Sequence, residues 1–261
     1  MDTNIDDFSL DMFRLDGKVA LVTGGNTGMG QAYAVALAKA GADIMIHAHS
    51  ERNVKETIEL IEKAGRKAKY VLGDLKNKNS VDKIVAECIK QYGKIDILVN
   101  NAGTIRRSPL IEYKEQDWKE TLDVNLNAVY FLSQAAAKYM VKQKSGKIIN
   151  VASMLSFQGG KFVPAYTASK HGVAGLTKAF ANELAASNVQ INAIAPGYIA
   201  TANTAPIRSD AERSKEILSR IPAGRWGYPY DVMGAVVFLA SKASDYVNGH
   251  ILAIDGGWLV R

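Results

Sequence analysis

The sequence predicts an α/β protein: a doubly wound parallel sheet of about seven strands with helices on both faces. Three observations carry that expectation. Short runs rich in Val and Ile alternate with longer segments of helical period from one end to the other, as in a parallel sheet joined by right-handed helical crossovers. The runs are apolar almost throughout, as strands covered on both faces are. The first of them leads straight into a glycine-rich turn, TGGNTGMG.

Taken in order, Lys18–Thr23 reads as the first strand, and the helix that follows spans Gly28–Ala40. Between them, Gly24, Gly28 and Gly30 lack the Cβ that would keep the backbone from approaching a pyrophosphate at the helix N-terminus. Their spacing, Gly-x3-Gly-x-Gly, differs from the commoner Gly-x-Gly-x2-Gly. The second strand is Asp43–His47. An acid just after such a strand favours NAD and a basic residue favours NADP; here Ala48 takes the acid's place, with His49 and Arg52 close by, while Thr27 leaves the glycine turn without a base. The expectation is therefore NAD, with NADP possible. His47 and His49 would share a side of a strand, but no carboxylate or Cys cluster supports a metal there, and none is expected.

A helix near Asn53–Ala64, a strand at Ala68–Leu72, a helix at Ser80–Tyr92 and a strand at Ile95–Asn100 continue the alternation. One long helix is expected over Gln116–Lys144, then a strand at Lys147–Val151 and a helix at Pro164–Ser187. The last strands are Gln190–Ala195 and His250–Asp255, with a helix at Asp231–Ser241 between them. A polar, charged excursion at 201–227 breaks the pattern. Long connections of this sort serve as lids or binding loops, or are solvated helix pairs without a role.

The 261 residues hold 32 Lys and Arg against 26 Asp and Glu, 48% hydrophobic side chains and a single Cys. That is the composition of a folded globule, and it excludes a disulfide framework or a multi-Cys metal site. The +6 balance is scattered along the chain, which argues against a nucleic-acid arm and for small anionic ligands. The acidic N-terminus lacks the features of a secretory signal, and no apolar run is long enough to span a membrane. The expectation is one domain over 1–261 in the cytoplasm, with 1–15 as an N-terminal extension and 201–227 as a substrate lid.

Tyr166 and Lys170 stand four apart in PAYTASKHGVAGLTKAF, so a helix puts them on one face. A free tyrosine titrates near about pH 10, and a nearby ammonium lowers that value, which suits proton exchange with an alcohol. Ser153 ends the fifth strand, at the edge where doubly wound sheets bind ligands. Together TGGNTGMG, NNAG (Asn100–Gly103), Asn125 in DVNLNA, Ser153, YTASK (Tyr166–Lys170) and Pro196-Gly197 fall in order and spacing over nearly the whole chain. In this the chain resembles the short-chain dehydrogenase/reductase family, and the resemblance implies a Rossmann-type fold.

The resemblance also implies roles. Tyr166 would be the general acid and base, Lys170 would lower its pKa and bind the nicotinamide ribose, Ser153 would hold the substrate oxygen, and Asn125 would hold a proton-relaying water. Gly24, Asn26, Thr27, Gly28, Met29, Gly30, His49, Asp74, Leu75, Asn101, Ala102, Gly103, Pro196, Gly197, Ile199 and Thr201 would line the coenzyme. Finer strings (IRR at Ile105–Arg107, INVASMLSFQGG, RIPAGRWG, DGGWLVR) resemble members that act on six-carbon deoxy sugar acids in uronate breakdown. Gluconate 5-dehydrogenases and 3-oxoacyl carrier-protein reductases are the alternatives, with a non-catalytic nucleotide-binding module as a remote one. A sugar acid carries a carboxylate, which an arginine fork suits; Arg106 is the expected partner, with Gln158 for sugar hydroxyls. The resemblance further implies a homotetramer, with Trp258 either at an interface or in the core.

Overall fold

The computed structural model describes residues 5–261; the first four residues of the expected N-terminal extension lie outside the described residues. Strands β1 (Val19–Thr23), β2 (Asp43–Ala48), β3 (Ala68–Leu72), β4 (Ile97–Asn100), β5 (Gly146–Val151), β6 (Val189–Pro196) and β7 (Ile251–Ile254) form one parallel sheet. Its order is β3-β2-β1-β4-β5-β6-β7. Among the described residues, nine α-helices accompany it: α1 (Gly28–Lys39), α2 (Val54–Lys63), α3 (Lys78–Tyr92), α4 (Glu115–Leu122), α5 (Ala128–Gln143), α6 (Pro164–Leu184), α7 (Ala205–Ser209), α8 (Ala211–Arg220) and α9 (Met233–Ala240).

Successive side chains of a strand face opposite ways, and the inner strands feed two cores accordingly. Ala20, Val22, Ile44, Ile46, Ile97 and Val99 meet Tyr33 and Leu37 of α1 and Val236 and Leu239 of α9 on one face. Leu21, Met45, Leu98 and Ile148 meet Ile84 and Val85 of α3 and Leu132 and Met140 of α5 on the other. Each such side chain, fully withdrawn from water, contributes about 1.5–3 kcal/mol. Inner strands are therefore apolar on both sides for a reason. The edges depart from that pattern: in β3, Lys69, Tyr70 and Leu72 are exposed, because an edge strand has a neighbour on one side only.

The long helix expected over 116–144 is interrupted. Between α4 and α5, residues Asp123–Asn127 form a π turn, with the Ala128 N–H reaching back to the Asp123 carbonyl. One extra residue in the turn re-aims the helix, a device often found beside functional sites. The excursion at 201–227 holds the helices α7 and α8. From α8, Ile217, with Ile221 just past the helix, packs with Met154 and Trp258, and Trp258 is buried in that cluster, which decides its open placement in favour of the core. No helix among the described residues is long and apolar enough to cross a membrane.

A short polar network ties the sheet to both helices below the ligand edge. Asn100 and Asn150 are register partners on β4 and β5. The Asn100 amide donates to Ser133 of α5 at 3.0 Å and to the Asn150 carbonyl at 2.9 Å. The Asn150 amide donates to Thr177 of α6 at 2.9 Å. All four residues are buried, so removing one leaves its partners without water to replace it. Replacing Asn150 by Ala is expected to cost about 2–4 kcal/mol in urea unfolding. The Asn100→Ala, Asn150→Ala double variant should lose clearly less than the sum of the singles; additive losses would show that the network is not coupled.

Candidate active site

Strand order reverses between β1 and β4, and at such a switch point the following loops part and leave a crevice. A cleft of about 650 Å3 runs there along the carboxyl ends of the strands.

Its floor is the β1–α1 turn. Gly24 and Gly28 adopt φ of +61° and +54°, a region that favours glycine. Thr27 caps α1 without a side-chain bond, and the first turn carries no acid. The helix therefore presents free N–H groups and the positive end of its dipole to the cleft. A Cβ on Gly30 would run into the Gly24 carbonyl oxygen and stand 2.5 Å from the Asn101 amide nitrogen. That close approach comes from a clasp between two strand ends. Thr23 Oγ1 accepts the N–H groups of Asn101 (2.9 Å) and Ala102 (3.0 Å), and the Asn101 amide donates to the carbonyls of Thr23 (2.9 Å) and Gly24 (3.3 Å). Such a helix N-terminus, reached only across glycines, fits the diphosphate of a dinucleotide.

At the far end, the buried Asn26 amide donates to the Arg52 carbonyl at 2.8 Å and fixes the loop after β2. His49, Ser50 and Arg52 line this end, while the intervening Glu51 accepts from the Tyr70 hydroxyl at 3.3 Å. His47 serves as a brace. Its Nε2 donates to the Gly73 carbonyl at 3.1 Å and its Nδ1 accepts from the Gly24 N–H at 3.4 Å, which together require one neutral tautomer. It thereby holds the glycine turn against the loop that carries Asp74 and Leu75. Burial pushes its pKa down to about 4, against the pull of the Gly73 hydrogen bond. A polar residue at the end of an otherwise apolar run was the only sequence signal of this role.

At the near end, Ser153, Tyr166 and Lys170 line the cleft together. Ser153 stands two residues past the end of β5 and accepts the Leu155 N–H at 3.1 Å, leaving its own O–H to donate. Burial pushes the Tyr166 hydroxyl above the usual phenol value, while hydrogen bonding with Ser153 and the charge of Arg107 pull the other way. Lys170 is buried, and its pKa falls to about 8 for that reason. Its ammonium lies 5.5 Å from the Tyr166 ring centre and donates to the Val151 carbonyl at 2.6 Å. The ammonium thus turns to a strand-end carbonyl while staying beside the Tyr166 ring.

Asn125 stands in the π turn, fully buried behind the cleft wall. Its carbonyl accepts the Thr104 N–H at 2.8 Å, and its amide donates to the Thr104 carbonyl at 2.9 Å and to Ser169 Oγ at 3.3 Å. Met29, Gly103, Pro196, Gly197, Ile199 and Thr201 are on the lining, with Ala202–Thr204 at the edge of the 201–227 segment. Arg106 is also on the lining, engaged with Asp117 at 3.4 Å and Glu120 at 3.5 Å. Gln158 is half-buried and not on the lining.

Comparison with known proteins agrees with this geometry. The family model for short chain dehydrogenases matches residues 18–212. A 2-dehydro-3-deoxy-D-gluconate 5-dehydrogenase of Bacillus subtilis is 57% identical over 96% of this chain and 98% of its own length. The protein of that name from Escherichia coli is 54% identical, over 97% and 99%. A crystal structure of a gluconate 5-dehydrogenase from Burkholderia cenocepacia, in complex with NADP and tartrate, superposes with a TM-score of 0.93 at 39% identity, over 97% of this chain and all of that one.

The His47 brace makes a prediction about acid stability. The unfolded imidazole takes up a proton near its usual 6.5, whereas the folded one resists until about 4. Stability should therefore fall as pH drops through that window and not change on this account above it. Between pH 7 and pH 5, urea unfolding of the wild type should lose about 2 kcal/mol that His47→Gln does not lose. Equal losses in the two proteins would remove His47 from the account.

Proposed function

Because the chain belongs to the short-chain dehydrogenase family, we propose that it interconverts 2-keto-3-deoxygluconate and 2,5-diketo-3-deoxygluconate. The reaction moves a hydride between a nicotinamide coenzyme, NAD or NADP, and C5 of the six-carbon deoxy sugar acid. One observation supports it above others: Ser153, Tyr166 and Lys170 share one end of a cleft whose floor is a glycine-lined helix N-terminus. The substrate class is supported by the names of the relatives at 57% and 54% identity.

In this reading the coenzyme's diphosphate rests on Gly24–Gly30, its adenosine end lies by His49, Asp74 and Leu75, and its nicotinamide end lies by Asn101–Gly103, Pro196, Gly197, Ile199 and Thr201. When bound, the coenzyme supplies or accepts the hydride. Tyr166 gives its phenol proton to the carbonyl oxygen in reduction and takes it back in oxidation. The Ser153 hydroxyl donates to that same oxygen and stabilises the charge that develops there. Lys170 keeps a positive charge beside the ring and favours the phenolate. Asn125, gripping Thr104, fixes the loop that faces the substrate.

The same reading makes the enzyme a cytoplasmic homotetramer acting on free sugar acids from uronate breakdown, without nucleic acid or membrane, and with 201–227 as its lid. Exposed Tyr130 and Tyr139 along α5 and Tyr246 near the C-terminus support self-association. Gluconate 5-dehydrogenation is the second reading, favoured by the likeness to the Burkholderia cenocepacia structure.

Absorbance at 340 nm tests both. The purified protein with 2-keto-3-deoxygluconate and NAD or NADP should turn over much faster than with gluconate. Tyr166→Phe should lower turnover by about a thousandfold or more while coenzyme still binds. Faster gluconate oxidation would select the second reading, and near-normal activity in Tyr166→Phe would refute the proton-transfer role.

A further inference from the structure

We infer that Ser156 is a positioning residue: by fixing the tight turn after β5 to α6, it holds the Ser153 hydroxyl as a donor facing Tyr166. The inference rests on the reading of Ser153 and Tyr166 as reacting groups, and is independent of which sugar acid they meet.

After β5 the chain makes a single 3-10 turn, Met154–Ser156, before it loops back to α6. Ser153 caps that turn, and its Oγ accepts the Leu155 N–H. A serine hydroxyl has one proton to give and two lone pairs. With the turn engaging the oxygen as an acceptor, the proton is left for the other side, where the hydroxyls of Ser153 and Tyr166 bond. The direction in which Ser153 donates therefore depends on where the turn sits.

Three contacts place the turn. Met154 is buried against Ile217 and Trp258. Leu155 meets the returning chain, where a Cβ on Gly160 would stand 2.7 Å from the side chains of both Leu155 and Val163. Ser156 supplies the polar contact. Its Oγ donates to the Lys170 carbonyl at 2.7 Å, and its N–H donates to the Ser153 carbonyl at 2.9 Å. Among the described residues no other hydrogen bond joins 154–160 to α6. Apolar contacts are non-directional, whereas a hydrogen bond weakens steeply when bent. Ser156 thus sets the register between the turn and the helix, with Ser153 at one end and Lys170, one helical turn beyond Tyr166, at the other. Ser156 is buried and not on the cleft lining, so it acts through Ser153 and not on the substrate. Its neighbours Met154, Leu155 and Phe157 are apolar. Alanine would serve the packing there as well, and a buried hydroxyl is costly unless it is bonded.

Steady-state kinetics on the intact enzyme test this as a double-mutant cycle with Ser153. The probe is whichever of 2-keto-3-deoxygluconate and gluconate the wild type oxidises. Ser153→Ala should lower kcat by about 100-fold or more, the scale of a lost donor to a developing oxyanion. Ser156→Ala should lower kcat by about 5- to 50-fold and leave KM for the coenzyme within about twofold. In the Ser153→Ala background the same change should cost less than about twofold, because the group that Ser156 places is gone. A residue that served the fold alone would lower both backgrounds alike. Thermal unfolding confirms that each variant is folded. Ser156→Cys, close in volume and a weak donor, takes the place of Ser156→Ala if that variant does not fold, with the same expected loss. Wild-type kcat in the folded variant, or equal losses in the two backgrounds, would overturn the inference alone. Wild-type kcat in Ser153→Ala, or a wild type that oxidises neither acid, would overturn the reading on which it rests and the inference with it.

Discussion

The clasp between Thr23 and Asn101 is the contact on which the functional edge of this molecule depends. Where the strand order reverses, β1 and β4 end side by side and their chains must leave in different directions. Backbone groups that lose their ladder partners at such a place need others. Thr23 Oγ1 satisfies two N–H groups of the β4 exit, and the Asn101 amide satisfies two carbonyls of the β1 exit. Only glycine at position 30 lets α1 come down onto that clasp. The cleft floor, the free helix N-terminus and the position of the NNAG loop all follow from it.

A second tier of contacts transmits this order to the reacting groups. Asn125 can grip Thr104 because the π turn pulls it out of the regular helix register. That grip and the Ser108–Phe162 backbone bond set the loop that carries Arg106 and Arg107. On the opposite wall, Ser169 Oγ donates to the Tyr166 carbonyl at 2.7 Å and Ser156 Oγ to the Lys170 carbonyl at 2.7 Å, anchoring the helix that carries both residues. Burial then sets the chemistry: it raises the Tyr166 hydroxyl and lowers Lys170 to about 8. Ser153 by its hydrogen bond and Arg107 by its charge pull the tyrosine back in the direction that proton exchange requires.

Much of this was legible in the chain. Inner strands stand out because burial on both faces demands continuous apolar runs, and the glycine turn, Ser153, Tyr166 and Lys170 stand out by spacing. The interruption near Asn125 was hidden, because no Gly or Pro marks the junction and both flanking stretches are helical. His47 looked like half of a weak metal pair, since its two partners, Gly24 and Gly73, are backbone groups from distant segments. Arg106 and Arg107 could not be told apart by sequence; that Arg106 turns to the acids of α4 shows only in the fold. Trp258 was ambiguous for a similar reason, as the α8 residues that cover it lie in the segment with the least regular pattern.

The most direct test of the clasp is the affinity for reduced coenzyme, titrated by calorimetry against wild type and Asn101→Ala, with thermal unfolding recorded for both. Loss of the amide should weaken binding by about 10- to 100-fold while the protein still unfolds in one cooperative step. Wild-type affinity in a folded Asn101→Ala protein would contradict the account, because the cleft would then be held open by something other than the joined ends of β1 and β4.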